Sequence, residues 1–272
     1  MDTRIHFISG LPRSGSTLLS AILAQNPRFH AGMSSPVGGI YKSLQETMSQ
    51  RHEASIFITD KQRASVLKGL FGSYYADIPQ SDVVFDTNRM WCTKTSSLSR
   101  LFPRAKIICC VRSISWIIDS IEQLVQKNAF EPSGIFGFDA GGTIYTRVSA
   151  LAGATGLVGY ALDALKEGYF SKEAGRMILV EYQSLCRAPH ATMKEIYRFI
   201  DEPWFEHDFN NVEYEANEFD LQMGVRGLHT IRQKVEWVER PTILPPDIFN
   251  RFQNDMFWRN IQPSRCPLID AR

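Results

Sequence analysis

The sequence predicts an α/β fold with three layers, α/β/α, around a central parallel sheet, and three observations carry that prediction. Four short apolar runs have the length and the Val, Ile and Phe content of strands buried on both faces: Ile5 to Ser9, Val83 to Asp86, Lys106 to Val111 and Met177 to Glu181. Stretches of helical period separate them, so crossover connections must join strands that run parallel. The 272 residues, 44% hydrophobic and 22% charged, suffice for a large core with helical insertions, and residues 1–272 read as a single domain.

The first strand leads into a helix over Ser16 to Ala24. Helices then fit Val37 to Gln50 and Lys61 to Tyr75 before the second strand, and Thr95 to Leu101 before the third. Ile114 to Lys127 continues from the third strand, and one long helix is expected from Thr143 to Lys166. Pro189 to Ile200 and Pro246 to Phe257 complete the helical set. Between those last two, Asp201 to Pro245 is aromatic, acidic and weakly periodic, and reads as an irregular segment packed over the sheet. No repeat, low-complexity tract or linker interrupts the chain.

Net charge is +1, which excludes a whole-molecule field able to hold nucleic acid and leaves only local basic pockets. Five cysteines are irregularly spaced without a C-x-x-C pair, and Cys109 and Cys110 lie inside an apolar strand, so they read as core residues rather than disulfides or metal ligands. The opening MDTRIHFISG lacks the apolar stretch of a signal peptide, and no segment reads as a bilayer span. A cytoplasmic, reduced protein without a membrane partner is expected.

The sharpest signal is Gly10-Leu11-Pro12-Arg13-Ser14-Gly15-Ser16-Thr17, between a strand and a helix. Backbone N–H groups and a helix N-terminus meet an anion in such a setting, so the fold is expected to be P-loop-containing. The spacing follows G-x4-G-K-S/T, except that Ser16 stands where nucleoside triphosphatases carry lysine. Arg13 offers the charge instead, in a planar fork suited to phosphate or sulfate oxygens, and Ser14, Ser16 and Thr17 add hydroxyls. An ordinary Gly/Ser turn with a surface arginine is the alternative.

A second anion site follows the third strand. Arg112 stands at the strand's C-terminal end, facing the crevice where α/β folds bind ligands, and Ser120 lies two helical turns on. The same stretch would also suit an arginine opening a helix and a neutral serine on its face.

Taken together, GLPRSGSTLL, the Arg112/Ser120 pair eight residues apart and the RLFPRAK string before the third strand resemble the sulfotransferases, closest to the tyrosylprotein type. The resemblance runs in order from residue 4 to about residue 257. It implies an enzyme that moves the sulfuryl group of 3′-phosphoadenosine 5′-phosphosulfate (PAPS) to an acceptor hydroxyl, with a tyrosine of a peptide or protein as candidate acceptor. It implies that Pro12 to Thr17 bind the 5′-phosphosulfate, and that Arg112 and Ser120 bind the 3′-phosphate. Tyr182, in Tyr182-Gln183-Ser184-Leu185, would lie against the nucleotide, and the late basic loop with Arg226, Arg232 and Lys234 would close over it. No metal is implied. Members often dimerise, which implies a homodimer, although no stripe marks an interface.

The catalytic cation that the family carries after its second strand falls here on Arg89, with Lys94 as the alternative at a larger gap; Arg13 serves the leaving phosphate. Ser113 replaces the usual aspartate after Arg112. The family's glutamate base has no counterpart: the matching stretch is Gly32-Met33-Ser34-Ser35-Pro36, and Ser34 takes no proton at neutral pH. His30 and His229 are the candidate bases. Two other readings are a P-loop kinase-like ATP phosphotransferase, with Asp86 at a Mg²⁺ site, and a non-catalytic nucleotide-binding protein.

Overall fold

A computed structural model describes residues 4–139, 141–261 and 265–270. Residues 1–3, 140, 262–264, 271 and 272 of the expected domain lie outside the described residues. Six parallel strands form the sheet in the order β2-β3-β1-β4-β5-β6: β1 Arg4–Gly10, β2 Phe29–Ala31, β3 Val83–Thr87, β4 Ile107–Val111, β5 Met177–Glu181 and β6 Leu268–Ile269. The four expected strands are its centre. The two edge strands, three and two residues long, are too short to leave a periodic signal.

Neighbouring strand residues feed opposite faces, as a period of two requires. Ile5, Phe7, Val84, Ile107, Cys109, Met177 and Leu179 belong to one apolar cluster. Ile8, Val83, Phe85, Ile108, Cys110, Ile178 and Val180 belong to the other. Helices α1 Ser16–Leu23 and α9 Pro189–Ile200 cover the second face through Leu19, Ile22, Met193 and Ile196. The first face takes α2 Val37–Thr47, α3 Asp60–Tyr74, α4 Thr95–Leu101 and α5 Ile114–Lys127, through Tyr41, Phe71, Leu98 and Ile117 among others. The sheet between two helical layers is the expected three-layer α/β/α arrangement.

The expected single helix over Thr143 to Lys166 is two: α6 Ile144–Ala152 and α7 Leu157–Tyr169. The chain turns so tightly between them that a Cβ on Gly156 would stand 2.0 Å from the carbonyl of Ala150, which only glycine permits. Ile144–Tyr169 is also long and apolar enough, by length and composition, to cross a membrane, which corrects the sequence expectation. Its apolar residues Val148, Leu151, Val158, Ala161 and Leu165 are buried in the core here.

The remaining helices are short: α8 Tyr182–Arg187, α10 Asn217–Gln222, α11 Pro246–Arg251 and α12 Phe257–Asn260. Asp201 to Pro245 is irregular, as expected, apart from α10. Buried Asp119 on α5 anchors its end: Oδ1 accepts from Thr242 Oγ1 (2.7 Å) and Ile243 N (2.8 Å), and Oδ2 pairs with Arg240. The chain moves from β1 to β3 on one side and later to β4 on the other, so a switch point opens between β1 and β4. Ligands of open α/β sheets bind at such a point, outside the strands' carboxyl ends.

Candidate active site

A cleft of about 590 Å³ opens at that switch point. Its floor is the loop after β1. Leu11 N donates to Cys110 O at 2.9 Å, and the Ser14 hydroxyl lies between Cys110 O (2.9 Å) and Leu11 O, which ties the loop to β4. Ser14 therefore shapes the loop through its side chain and leaves only its backbone for a ligand. Arg13 has φ 54° and Gly15 has φ 96°, so the backbone curls through left-handed conformations just before α1. Gly15 caps α1 without a side-chain hydrogen bond, and the first turn holds no acidic residue. The N–H groups of that turn are available to an anion, beside the half-buried Ser16 and Thr17.

Two arginines converge above this floor. Arg13 donates from Nε to Ser120 Oγ on α5 at 3.2 Å and from Nη1 to Leu228 O. Arg112, leaving β4, donates from Nη1 to Arg13 O at 3.3 Å and lies over the Tyr182 ring, 4.5 Å from its centroid. Its Nε is buried without a hydrogen-bond partner among the described residues. Burial and the neighbouring Arg112 push the Arg13 guanidinium down to about 10, and burial lowers Arg112 also. Among the described residues, neither makes an ion pair with a carboxylate. Two cations so held, one with an orphaned donor, form a site that an anion would stabilise.

Arg89 reaches the same cleft from the turn after β3, and no described residue takes its guanidinium as a hydrogen-bond or salt-bridge partner. It keeps solvent access through the open cleft, yet the cleft walls are dense enough to lower its pKa by desolvation. Lys94 ends that turn and does not line the cleft. Arg232 and Lys234 line its rim as exposed side chains, with Lys234 Nζ 3.2 Å from Glu236.

The candidate bases separate cleanly. His30 sits on β2 with Nε2 2.8 Å from Asp82, outside the cleft lining. His229 lines the cleft, its Nδ1 2.6 Å from Asp220 Oδ1. Ser34 is exposed at the cleft wall. Asp86 is fully buried away from the cleft, and its oxygens accept from Ser35 (2.7 Å), Tyr75 (2.6 Å) and Trp91 (2.8 Å). Its position and its saturated oxygens do not fit the Mg²⁺ role considered for it. No group of three or more His, Cys, Asp or Glu side chains able to hold a metal occurs among the described residues.

A family model described as the sulfotransferase family matches residues 6–206. The chain belongs to the sulfotransferase family. A protein-tyrosine sulfotransferase of Drosophila melanogaster is 24% identical over 217 residues, which are 76% of this chain and 40% of that protein. The chain thus spans about two fifths of that relative's length. Among solved structures, the sulfotransferase domain from the curacin biosynthetic pathway superposes with a TM-score of 0.52 at 15% identity, covering 94% of this chain and 92% of that one. A sulfotransferase from Alicyclobacillus acidocaldarius gives 0.53 at 12%, covering 79% and 87%. A mouse sulfotransferase, SULT7A1, complexed with PAP gives 0.50 at 12%, covering 96% and 83%. These likenesses bear on the fold.

Two further side chains of this family member line the cleft, and a third stands behind its lining, without having been read from the sequence. Trp237 stands 6.1 Å from Tyr182, ring to ring, and its Nε1 is a buried donor without a partner among the described residues. Arg240 lines the far wall with its face over Trp116, at 5.0 Å. Asp220 lies behind His229, 2% exposed. Trp237 follows the basic run directly and only its aromatic type could have flagged it. Asp220 lies nine residues before His229, a pairing without a sequence signature.

Proposed function

We propose that the protein is a PAPS-dependent sulfotransferase acting on an acceptor hydroxyl, with a tyrosine of a peptide or protein as the candidate acceptor. The observation that carries this is the convergence of Arg13 and Arg112 at the switch point, both without a carboxylate partner among the described residues and one with an orphaned buried Nε. The lysine of nucleoside triphosphatases is absent from the loop, and Asp86 is saturated, which weighs against the kinase reading.

The residues fit such a donor. The loop from Pro12 to Thr17 and the first turn of α1 would hold the 5′ end through N–H groups and the Ser16 and Thr17 hydroxyls. Arg112 and Ser120 would hold the 3′-phosphate, a bidentate fork serving better than a point charge. Tyr182 and Trp237 offer ring faces and a free indole N–H to a base. Arg232 and Lys234 add charge at the rim. When bound, the donor supplies an activated sulfuryl group on a phosphate leaving group. Arg89 and Arg13 stabilise the charge that grows on that phosphate, as fixed cations rather than proton donors. The buried cysteines Cys92, Cys109, Cys110 and Cys186 pack as core residues, in keeping with a reducing, cytoplasmic setting.

Calorimetry with 3′,5′-bisphosphoadenosine and with ATP and Mg²⁺, on wild type and Arg112→Ala, tests the reading. Binding of the bisphosphate that the variant loses is the expected result, followed by radiolabel transfer from PAPS to tyrosine peptides. Binding of ATP with Mg²⁺ but not the bisphosphate would overturn it; bisphosphate binding without transfer to any hydroxyl would favour a non-catalytic binding protein.

A further inference from the structure

The glutamate that the tyrosylprotein type offers as a base is a serine here, yet a proton acceptor is built on the opposite wall. His229 follows Leu228, whose carbonyl accepts from the Arg13 guanidinium, so the phosphate loop itself fixes where the imidazole stands. Behind the ring, Asp220 on α10 takes both the His229 backbone N–H, at 2.9 Å from Oδ2, and Nδ1, at 2.6 Å from Oδ1. Asp220 is 2% exposed, so this pairing is shielded from water. A carboxylate on Nδ1 requires an N–H there in the neutral ring, which leaves the lone pair on Nε2.

The ring also marks a boundary. Arg13 and Arg89 act on it electrostatically. The Phe219 ring stands edge-on to it at 5.5 Å, and Met223, Ile135 and Leu157 are apolar parts of the wall of the same cleft. An aromatic ring resting on that wall can direct a hydroxyl toward the imidazole and the cations.

From this juxtaposition we infer that His229, oriented by Asp220, is the general base of the reaction and that the acceptor is a phenolic ring bound on the apolar wall. The inference rests on the sulfotransferase reading and deepens it. The phenol O–H gives its proton to Nε2. Its oxygen forms the new bond to sulfur as the bond from sulfur to the 5′-phosphate oxygen breaks, and the electron pair leaves on that phosphate. The imidazolium that results is stabilised by the Asp220 carboxylate, the role a buried aspartate plays behind a catalytic histidine. Desolvation first, then Arg13 and Arg89, lower the His229 pKa below the usual histidine value, while Asp220 raises it. The ring is therefore neutral and able to accept a proton at pH 7.

The test uses PAPS with 2-naphthol, a weakly acidic phenol, and pentafluorophenol, which is already ionised at neutral pH. His229→Asn keeps an N–H for Asp220 but lacks a basic nitrogen. The expected loss with 2-naphthol is on the order of 10²- to 10⁴-fold, and less than about tenfold with pentafluorophenol, with bisphosphate affinity unchanged within about threefold. Equal losses on both phenols would show a structural role and overturn the base, as would a variant that keeps its rate. Nitrogen-15 NMR of wild type at pH 7 is expected to show protonated Nδ1 and bare Nε2 for His229. A doubly protonated ring or the opposite tautomer would overturn the assignment even if the variant failed to fold. Wild type that binds the bisphosphate but sulfates neither phenol would overturn the phenolic acceptor. Wild type that does not bind the bisphosphate would overturn the donor reading itself, and this inference with it.

Discussion

Arg13 and Ser120 share a 3.2 Å hydrogen bond across the switch point, so the loop after β1 and the helix after β4 form one anion-binding network rather than two separate sites. Groups in one network do not act additively. Ser120→Ala is expected to weaken bisphosphate binding about tenfold, the size of one hydrogen bond to a charged group. Arg112→Ala, which removes a fork of donors, should cost on the order of 100-fold. A calorimetric double-mutant cycle between Arg13→Ala and Ser120→Ala should return a coupling of at least about 0.5 kcal/mol. Strict additivity would show that the observed bond has no bearing on ligand binding.

Arg89 and Lys94 were both candidates for the cation beside the leaving oxygen, and geometry separates them. Arg89 lines the cleft with a guanidinium that no described residue takes as a hydrogen-bond or salt-bridge partner, and Lys94 lies outside the lining. Arg89→Ala should lower the transfer rate by about 10²- to 10³-fold, the range for removing one charge stabiliser, with bisphosphate binding largely kept. Lys94→Ala should change the rate by less than about threefold. Steady-state transfer from PAPS checks both, and a reversal of the two effects would reassign the cation.

The central strands and the two anion positions were legible because each is a local signal. A buried parallel strand is a contiguous apolar run, and a phosphate loop is a contiguous Gly/Ser/Arg string. The break at Gly153 to Gly156 was not legible, because the helical period passes straight through it and only the contact of Gly156 with the Ala150 carbonyl reveals the turn. Pairing across the fold was equally hidden. Nothing in the segment from Asp201 to Pro245 says that its last residues hang from Asp119, or that Asp220 holds His229.

Gly15 is where loop shape and ligand site meet. Its φ is 96°, and a Cβ there would lie 2.8 Å from Cδ2 of Tyr182. Gly15→Ala therefore strains the backbone, by about 1–3 kcal/mol, and pushes the ring that stacks against Arg112. Denaturant unfolding should show the lost stability. Calorimetry should show weaker bisphosphate binding than the stability loss alone explains.

Asp119 holds the irregular segment closed over the cleft. It is fully buried and joins α5 to Arg240, Thr242 and Ile243. Asp119→Ala leaves a buried N–H, a hydroxyl and a guanidinium without their acceptor, at a cost of about 3 kcal/mol or more. Limited proteolysis should then cut within residues 226–245 before the rest of the fold opens. If the cleavage pattern stays that of wild type, the segment is held by something other than Asp119.

Acid stability follows from two histidines that the fold keeps neutral. His6 lies in β1, 1% exposed, and its Nδ1 accepts from Lys106 N at 3.1 Å. Burial, then Arg4 and Lys106, push it down to about 3; burial pushes His207 down to about 4. Both lie below the unfolded value of about 6.5, so between those limits the unfolded chain binds more protons than the folded one. Stability is then at its full value above about pH 6.5 and falls as the pH drops toward the folded values. For His6 the loss between pH 7 and pH 4 is on the order of 3 kcal/mol. His6→Asn retains an acceptor near the Lys106 N–H but cannot titrate. Its urea unfolding free energy should decline less steeply than wild type from pH 6.5 to pH 4. Parallel slopes would mean that His6 is already open to protons in the native protein.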